Sequence, residues 1–311
     1  MKKVMVFGSF VVDLMGRTPH LPVPGETVKG SVFKIGPGGK GFNQGVAAHK
    51  AGAAVTMVTK LGRDTFGEVA LNAMAELKMD SGKVIFSEKS ETGAALILVD
   101  EKTSQNEIVV VLGACNTISD AEVEALEEEL IDCEYLLTQL ETNVSSVEKV
   151  IEIAARHQVK IILNTAPVQP ICDAVLRYVD IITPNEVEAE VLTGVEVKDE
   201  ASADKAAAWF FDRGVKNVLI TMGSRGVYVN TGDKKELIPA YRVEAVDTTG
   251  AGDAFNGGLL AALAEGKNLW QAARFANGLA ALSVQKIGTT PSMPTRAEIE
   301  KFIEDNGGST C

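Results

Sequence analysis

Apolar runs of strand length alternate with amphipathic segments of helix length through most of this chain, and that alternation constrains the fold more than any single motif. Strands are expected at 3–10, 55–60, 135–139, 160–163, 181–183 and 217–221. Helices are expected between them at 41–51, 66–77, 145–157 and 201–213. Strands apolar on both faces, with helices between them, call for a central, mostly parallel sheet covered on both sides, an α/β fold. Two stretches break the rhythm. Residues 12–34 are rich in Pro and Gly, and residues 92–111 hold two strand-like pieces, 94–99 and 107–111. They are expected to pair as a small antiparallel sheet outside the main one, a lid formed by about 12–38 and 92–112. The last third is helical, at 251–264, 269–284 and 296–304, with no linker and no repeat, so residues 1–311 read as a single domain.

Charge and cysteine usage narrow the function classes. The chain has 30 Lys+Arg against 42 Asp+Glu, a net charge of -12. That argues against nucleic acid or an anionic membrane as partner, because both need a cationic face. An anionic substrate stays compatible, since a few local donors hold a phosphate inside an acidic protein. Cys115, Cys133, Cys172 and Cys311 are scattered without C-x-x-C spacing. They read as reduced thiols of a cytoplasmic protein, with no zinc site. The apolar run after Met1-Lys2-Lys3 is broken at Gly8-Ser9 and Asp13, too early for a signal peptide, and no stretch approaches the ~20 apolar residues of a membrane span. His20, His49 and His157 lie near no other candidate catalytic residue, so histidine acid–base catalysis is not expected.

The chain carries 29 glycines, and two loops hold the informative ones. Gly36-Pro37-Gly38-Gly39-Lys40-Gly41-Phe42-Asn43-Gln44 opens a helix. Gly36, Gly38 and Gly41 satisfy G-x-G-x-x-G, although that dinucleotide fingerprint belongs on the first turn of a βαβ unit, here near Gly8. The plain alternative is a tight turn. Lys40 and Asn43 add a cation and an amide, which suit a polyhydroxyl ligand because an amide both donates and accepts. Asp247-Thr248-Thr249-Gly250-Ala251-Gly252-Asp253-Ala254-Phe255 also runs into a helix. Glycines at a helix start expose unpaired N–H groups, an anion site, and Asp253 sets a base at its rim. Phosphoryl transfer to an alcohol requires that pairing of base and anion hole. The plain alternative is an acid stabilised by the helix dipole. No G-x-x-x-x-G-K-[ST] occurs, so nucleotide chemistry here is not of the P-loop kind. In Thr183-Pro184-Asn185-Glu186-Val187-Glu188, a proline ends a strand and acids start a helix. Asn185 and Glu188, one turn apart, either cap that helix or position a hydrated magnesium ion.

Four ordered signatures resemble the ribokinase-like (pfkB) sugar kinases. They are Gly38-Gly39-Lys40-Gly41-Phe42-Asn43-Gln44, Thr183-Pro184-Asn185-Glu186, Thr221-Met222-Gly223-Ser224 and Asp247-Thr248-Thr249-Gly250-Ala251-Gly252-Asp253. The resemblance extends from Gly8-Ser9 to Pro291-Ser292-Met293-Pro294 and points to the pentose kinases within the family. It implies that Asp253 deprotonates the sugar hydroxyl while Gly250, Ala251 and Gly252 offer N–H groups to the transferring phosphate. It assigns sugar hydroxyls to Asp13, Gly39, Lys40, Asn43, Glu141 and Asp253. ATP and Mg2+ fall to Asn185, Glu188, Thr221, Gly223, Gly252 and Asn277. A monovalent cation, usually K+, falls to Asp247, Thr249, Ser283, Lys286, Gly288 and Ser292. The lid is expected to pair between subunits and make a homodimer.

Departures from the pattern bear on the sugar. Gly8-Ser9-Phe10-Val11-Val12-Asp13 has Val11 where ribokinases often carry a sugar-binding Asn. Losing a polar partner there weakens selection for one hydroxyl, which moves 2-deoxyribose up beside ribose. Cys115 in Gly113-Ala114-Cys115-Asn116 and Thr165 in Asn164-Thr165-Ala166-Pro167 also depart, the first putting a lid contact in question. The expected function is ATP-dependent phosphorylation of the 5-hydroxyl of ribose or 2-deoxyribose, with another small sugar or a nucleoside as the alternative acceptor. Two rivals are a NAD-linked oxidoreductase using Gly36, Gly38 and Gly41 with Asp64 on the ribose, and a non-catalytic sugar-binding regulator, which has no use for Asp253 beside an anion hole.

Overall fold

The computed structural model describes residues 2–103 and 105–308; Cys311 lies outside them. The chain opens with β1 (Lys3–Phe7), β2 (Val11–Thr18) and β3 (Val32–Gly38), then α1 (Lys40–Lys50), β4 (Ala54–Val58), β5 (Lys60–Gly62) and α2 (Thr65–Leu77). Next come β6 (Ile85–Ser87), β7 (Thr92–Asp100), β8 (Asn106–Gly113), α3 (Asp120–Glu124), α4 (Glu127–Ile131), β9 (Cys133–Thr138) and α5 (Val144–Arg156). They are followed by β10 (Lys160–Leu163), α6 (Asp173–Leu176), β11 (Ile181–Ile182), α7 (Glu186–Thr193), α8 (Glu200–Phe211), β12 (Asn217–Thr221), β13 (Val227–Asn230) and β14 (Lys235–Ile238). Three helices close the chain: α9 (Ala251–Ala264), α10 (Leu269–Ser283) and α11 (Arg296–Asp305).

The main sheet has the order β14-β13-β12-β11-β10-β9-β1-β4. Its strands are parallel from β4 through β12, while β13 and β14 are antiparallel. Successive residues feed two separate cores. Val4 and Val6 join one with α1, α9 and α10, and Met5 and Phe7 join the other with α5 and α8. The same alternation recurs in β9, β10 and β12, the signature of strands buried on both faces. The expected strand 3–10 ends at Phe7, where Gly8-Ser9 turns the chain out of the sheet. Strands β13 and β14 were not expected: each has four residues, and Lys235 and Glu236 dilute the apolar signal of the second.

The lid is a second sheet of order β3-β2-β7-β8. It is mixed rather than antiparallel, because β2 pairs parallel with β7 from Val11↔Gly93 to Thr18↔Asp100. A crossover through α1, β4 and α2 separates those two strands, long enough to bring the chain back in the same direction. One face carries Val11, Asp13, Ala95, Ile97 and Val110. The other leans on the body through Val12 and Leu14 and, beyond them, exposes Phe33 (66%), Val109 (60%), Val111 (59%) and Ile35 (54%).

In the main sheet, β1 has β4 on one side and β9 on the other, so connections leave it in opposite directions. A crevice opens at such a switch point, beyond the carboxyl ends of the strands. Residues at or just after the carboxyl ends of β1, β9, β10, β11 and β12 gather there: Ser9, Glu141, Asn164, Asn185 and Thr221. Among the described residues, no helix is long and apolar enough to cross a membrane.

Candidate active site

Two glycines fit α1 against the turn after β1. Gly39, at φ 90°, swings the chain from β3 into the helix, and a Cβ there would stand 2.9 Å from Phe10 Cα. A Cβ on Gly41 would lie 2.5 Å from Gly8 C and Ser9 N, so only glycine permits this approach. The result is a cavity of about 580 Å³ lined by Asp13, Gly39, Lys40, Asn43, Glu141 and Asp253, which brings together every residue expected on the sugar side. Val11 is in the same wall, and Ile97, Ile108 and Val110 of the lid face it. Glu141 is fixed by the Ser9 hydroxyl (2.6 Å) and by the backbone N–H of Lys40 (2.7 Å).

Asp253 lies in the first turn of α9 and is almost completely buried. Asn43 Nδ2 donates to its Oδ2 and Gln44 Nε2 to its Oδ1, each at 3.0 Å. Each amide is held from behind. Thr290 Oγ1 donates to Asn43 Oδ1 at 2.9 Å, and Gln139 Nε2 to Gln44 Oε1 at 2.7 Å. Gln44 Nε2 also reaches Asn164 Oδ1 at 3.0 Å, and Asn164 Nδ2 donates to the Thr183 carbonyl at 2.8 Å.

Three carboxylates share one ammonium here. Burial pushes the Asp253 carboxyl up, and Lys40 with the two amides recovers only part of that rise. Burial draws Lys40 down, but Asp253, Glu141 and Glu188 outweigh it and hold the ammonium above its ordinary range. Asp13 is raised to about 6, by burial first and then by the charges of Glu141 and Asp253.

A second cavity of about 160 Å³ shares Lys40, Gly250 and Asp253 with the first. It adds Ala251, Gly252, Asn185, Glu188 and Thr221, so Asp253 stands where the two cavities meet. Gly250 begins α9 at φ 77°, leaving the first N–H groups of the helix without helical acceptors. One of the three expected donors is engaged: the Ala251 N–H reaches the Thr248 carbonyl at 3.2 Å, which leaves the anion site to its neighbours Gly250 and Gly252. Asn185 and Glu188 form a capping box, with Glu188 N–H donating to Asn185 Oδ1 at 2.8 Å and Asn185 N–H to Glu188 Oε2 at 3.0 Å. The capping alternative therefore holds, yet the Glu188 carboxylate still borders the cavity, as a hydrated magnesium ion with few protein ligands would need. Gly223 and Asn277 border neither cavity. Gly223 begins a short turn at φ 54°, and Asn277 Nδ2 donates to the carbonyls of Ile238 and Pro239.

The residues expected at a monovalent cation lie on two touching segments. Val246 and Asp247 N–H donate to the Val284 carbonyl, and Asp247 accepts from the N–H groups of Thr249 and Gly288, both at 2.9 Å. Burial alone would raise Asp247, but the Gly288 N–H and Thr249 lower it overall. Ser283 and Ser292 donate to the carbonyls of Ala280 (2.8 Å) and Thr289 (2.7 Å), and Lys286 pairs with Glu298. The donor set is hard oxygen, the kind an alkali cation takes; among the described residues no cluster of three or more His, Cys, Asp and Glu is placed to hold a metal.

The oxidoreductase rival has no structural footing. Gly36 and Gly38 lie within lid strand β3, and Asp64 caps α2 by accepting from the N–H groups of Gly67 and Thr92. The three histidines are occupied elsewhere, with Glu26, the Leu77 carbonyl and Glu127. Cys115 is buried against Phe10 and the Lys60 carbonyl, while Asn116 takes the place on the cavity wall. Ser9, Gln139, Asn164 and Thr290 were not expected in the site. Ser9 and Asn164 carried a signal, as members of two quoted motifs; Gln139 and Thr290 carried none.

A model of the pfkB family carbohydrate kinases matches residues 1–296. The chain is 44% identical over 303 residues to a ribokinase of Haemophilus influenzae, covering 97% of this chain and 99% of the other. It is 35% identical over 306 residues to a deoxyribokinase of Salmonella typhi, covering 97% and 99%. Among solved structures, the ribokinase of Arabidopsis thaliana complexed with ribose and ATP superposes with a TM-score of 0.89 at 30% identity, covering 97% of this chain and 98% of that one.

Proposed function

The chain belongs to the pfkB family of carbohydrate kinases, and from that premise we propose that it transfers the terminal phosphoryl group of ATP to the 5-hydroxyl of a pentose, ribose or 2-deoxyribose. The observation that carries the reading is Asp253 at the junction of the two cavities, gripped by two amides at a helix start. In this reading the sugar lies in the larger cavity against Asp13, Gly39, Lys40, Asn43 and Glu141, and the phosphates of ATP enter the smaller one. Asp253 accepts the hydroxyl proton as the new O–P bond forms and the bond to ADP breaks. Lys40 and the N–H groups of Gly250 and Gly252 offset charge on the moving phosphoryl oxygens. Asn185 and Glu188 would hold magnesium, which would supply neutralisation of phosphate charge. Thr221, Gly223 and Asn277 serve the nucleotide. Asp247, Thr249, Ser283, Lys286, Gly288 and Ser292, several through backbone carbonyls, would hold potassium, which would brace the loop that leads into α9. Closure of residues 12–38 and 92–112 excludes water. The exposed apolar face of the lid sheet supports a homodimer, the -12 charge supports the absence of a nucleic-acid partner, and the scattered cysteines support a cytoplasmic enzyme.

Asp253→Asn tests the assignment in a coupled ADP-release assay across ribose, 2-deoxyribose, fructose and nucleosides. Turnover should fall by about 10²–10⁴-fold, the worth of a general base. Near wild-type turnover refutes the base, and a clear preference for a hexose or a nucleoside refutes the pentose. In the same assay, activity indifferent to potassium removes the cation reading.

A further inference from the structure

Thr290 lies on the loop between Gly288 and Ser292, far in sequence from the sugar residues, yet its hydroxyl reaches into their network. It donates to Asn43 Oδ1 at 2.9 Å, and the same amide gives Nδ2 to Asp253. Thr290 is 6% exposed and Asn43 4%, so bulk water has little access to the bond between them. The loop is tied to α1 a second time by Lys50, whose ammonium donates to the Met293 carbonyl.

From this chain of contacts we infer that Thr290 is a positioning residue for the reaction, holding the Asn43 amide so that it grips Asp253. The inference rests on Asp253 being the base. A carboxylate only accepts, so the Asn43 amide must present its NH2 to Asp253 and its oxygen to the opposite side. That oxygen is buried, and Thr290 supplies its donor. Without the hydroxyl, Asn43 Oδ1 stays buried and unpaired, a state that costs more than the bond itself contributed. Turning the amide toward the open sugar cavity relieves that state, and Asp253 then loses one of its two amide donors. Thr290 thereby connects the loop carrying Gly288 and Ser292 to the base by a route that does not pass through Gly250 or Gly252.

The test compares Thr290→Val, Thr290→Ser and Asp253→Asn with the wild-type enzyme in steady-state ADP release, with ribose and ATP varied separately. Valine keeps the shape and removes the donor, so kcat should fall about 10-fold with KM for ATP unchanged. Serine keeps the donor and should stay within about twofold of wild type. Thr290→Ala, which cannot clash, carries the same expectation as valine and replaces it if that variant does not fold. Wild-type kcat in the valine or alanine variant overturns the proposal, as does a serine variant that loses as much as they do. If Asp253→Asn is inactive while Thr290→Val is fully active, the link alone is wrong; an active Asp253→Asn refutes the base itself.

Discussion

Asp13 has a cost that can be worked out from its surroundings. Its carboxyl is drawn from 3.8 to about 6 by burial and by the negative charges of Glu141 and Asp253. A group with a raised native pKa binds its proton more tightly folded than unfolded. Native stability is then greatest below the unfolded value and falls as pH rises through the native one. A shift of about two units corresponds to about 3 kcal/mol, lost mostly between pH 4 and pH 6. Asp13→Asn removes the charge while keeping the shape. The variant should therefore be more stable than wild type by up to about 3 kcal/mol at pH 7 and by only about 1 kcal/mol at pH 4.5. Urea unfolding of both proteins without sugar at the two pH values measures the difference. Activity should move the other way: an ionised acceptor for sugar hydroxyls is gone, and kcat/KM for the sugar should drop roughly 10- to 100-fold. A variant no more stable at pH 7, or one whose advantage grows toward acid, refutes the reasoning.

Two further outcomes are expected. Val11→Asn restores a polar partner on the sugar wall and should move the ratio of kcat/KM for ribose over 2-deoxyribose toward ribose by about 10-fold; an unchanged ratio in competition assays removes Val11 from sugar selection. Val109→Asp puts a charge on the exposed face of the lid sheet and should turn a wild-type dimer into a monomer by light scattering, whereas a wild-type protein that is already monomeric rules out the lid as an interface.

The alternation of apolar runs was enough to read the parallel sheet, because each strand fills two cores and cannot hide its pattern. It failed where a strand is short and lies at the sheet margin, as with β14, whose Lys235 and Glu236 mask it. The direction of β7 beside β2 was also beyond reach, since strand direction depends on the intervening crossover and not on strand composition. In the site, Lys40, Asn43 and Asp253 were legible because each sits inside a glycine loop with its own local logic. Gln139 and Thr290 come from two separate segments and meet the others only through the fold. An isolated Gln or Thr looks the same in a loop as in a buried relay.

The lid strands are not an appendage hinged above the site. Asp13 belongs to β2, laddered between Gly36 of β3 and Ala95 of β7, and a single residue, Gly39, separates the end of β3 from Lys40. Cover and grip are one piece of chain. Under the proposed assignment, an acceptor held between Asp13 and Asp253 puts tension on the cover through a lever only a few residues long. A water molecule at Asp253 spans no such distance and exerts no pull. The shape of the sugar then decides more than affinity: it sets whether the cover comes down at all, and ATP facing water alone stays beneath an open roof.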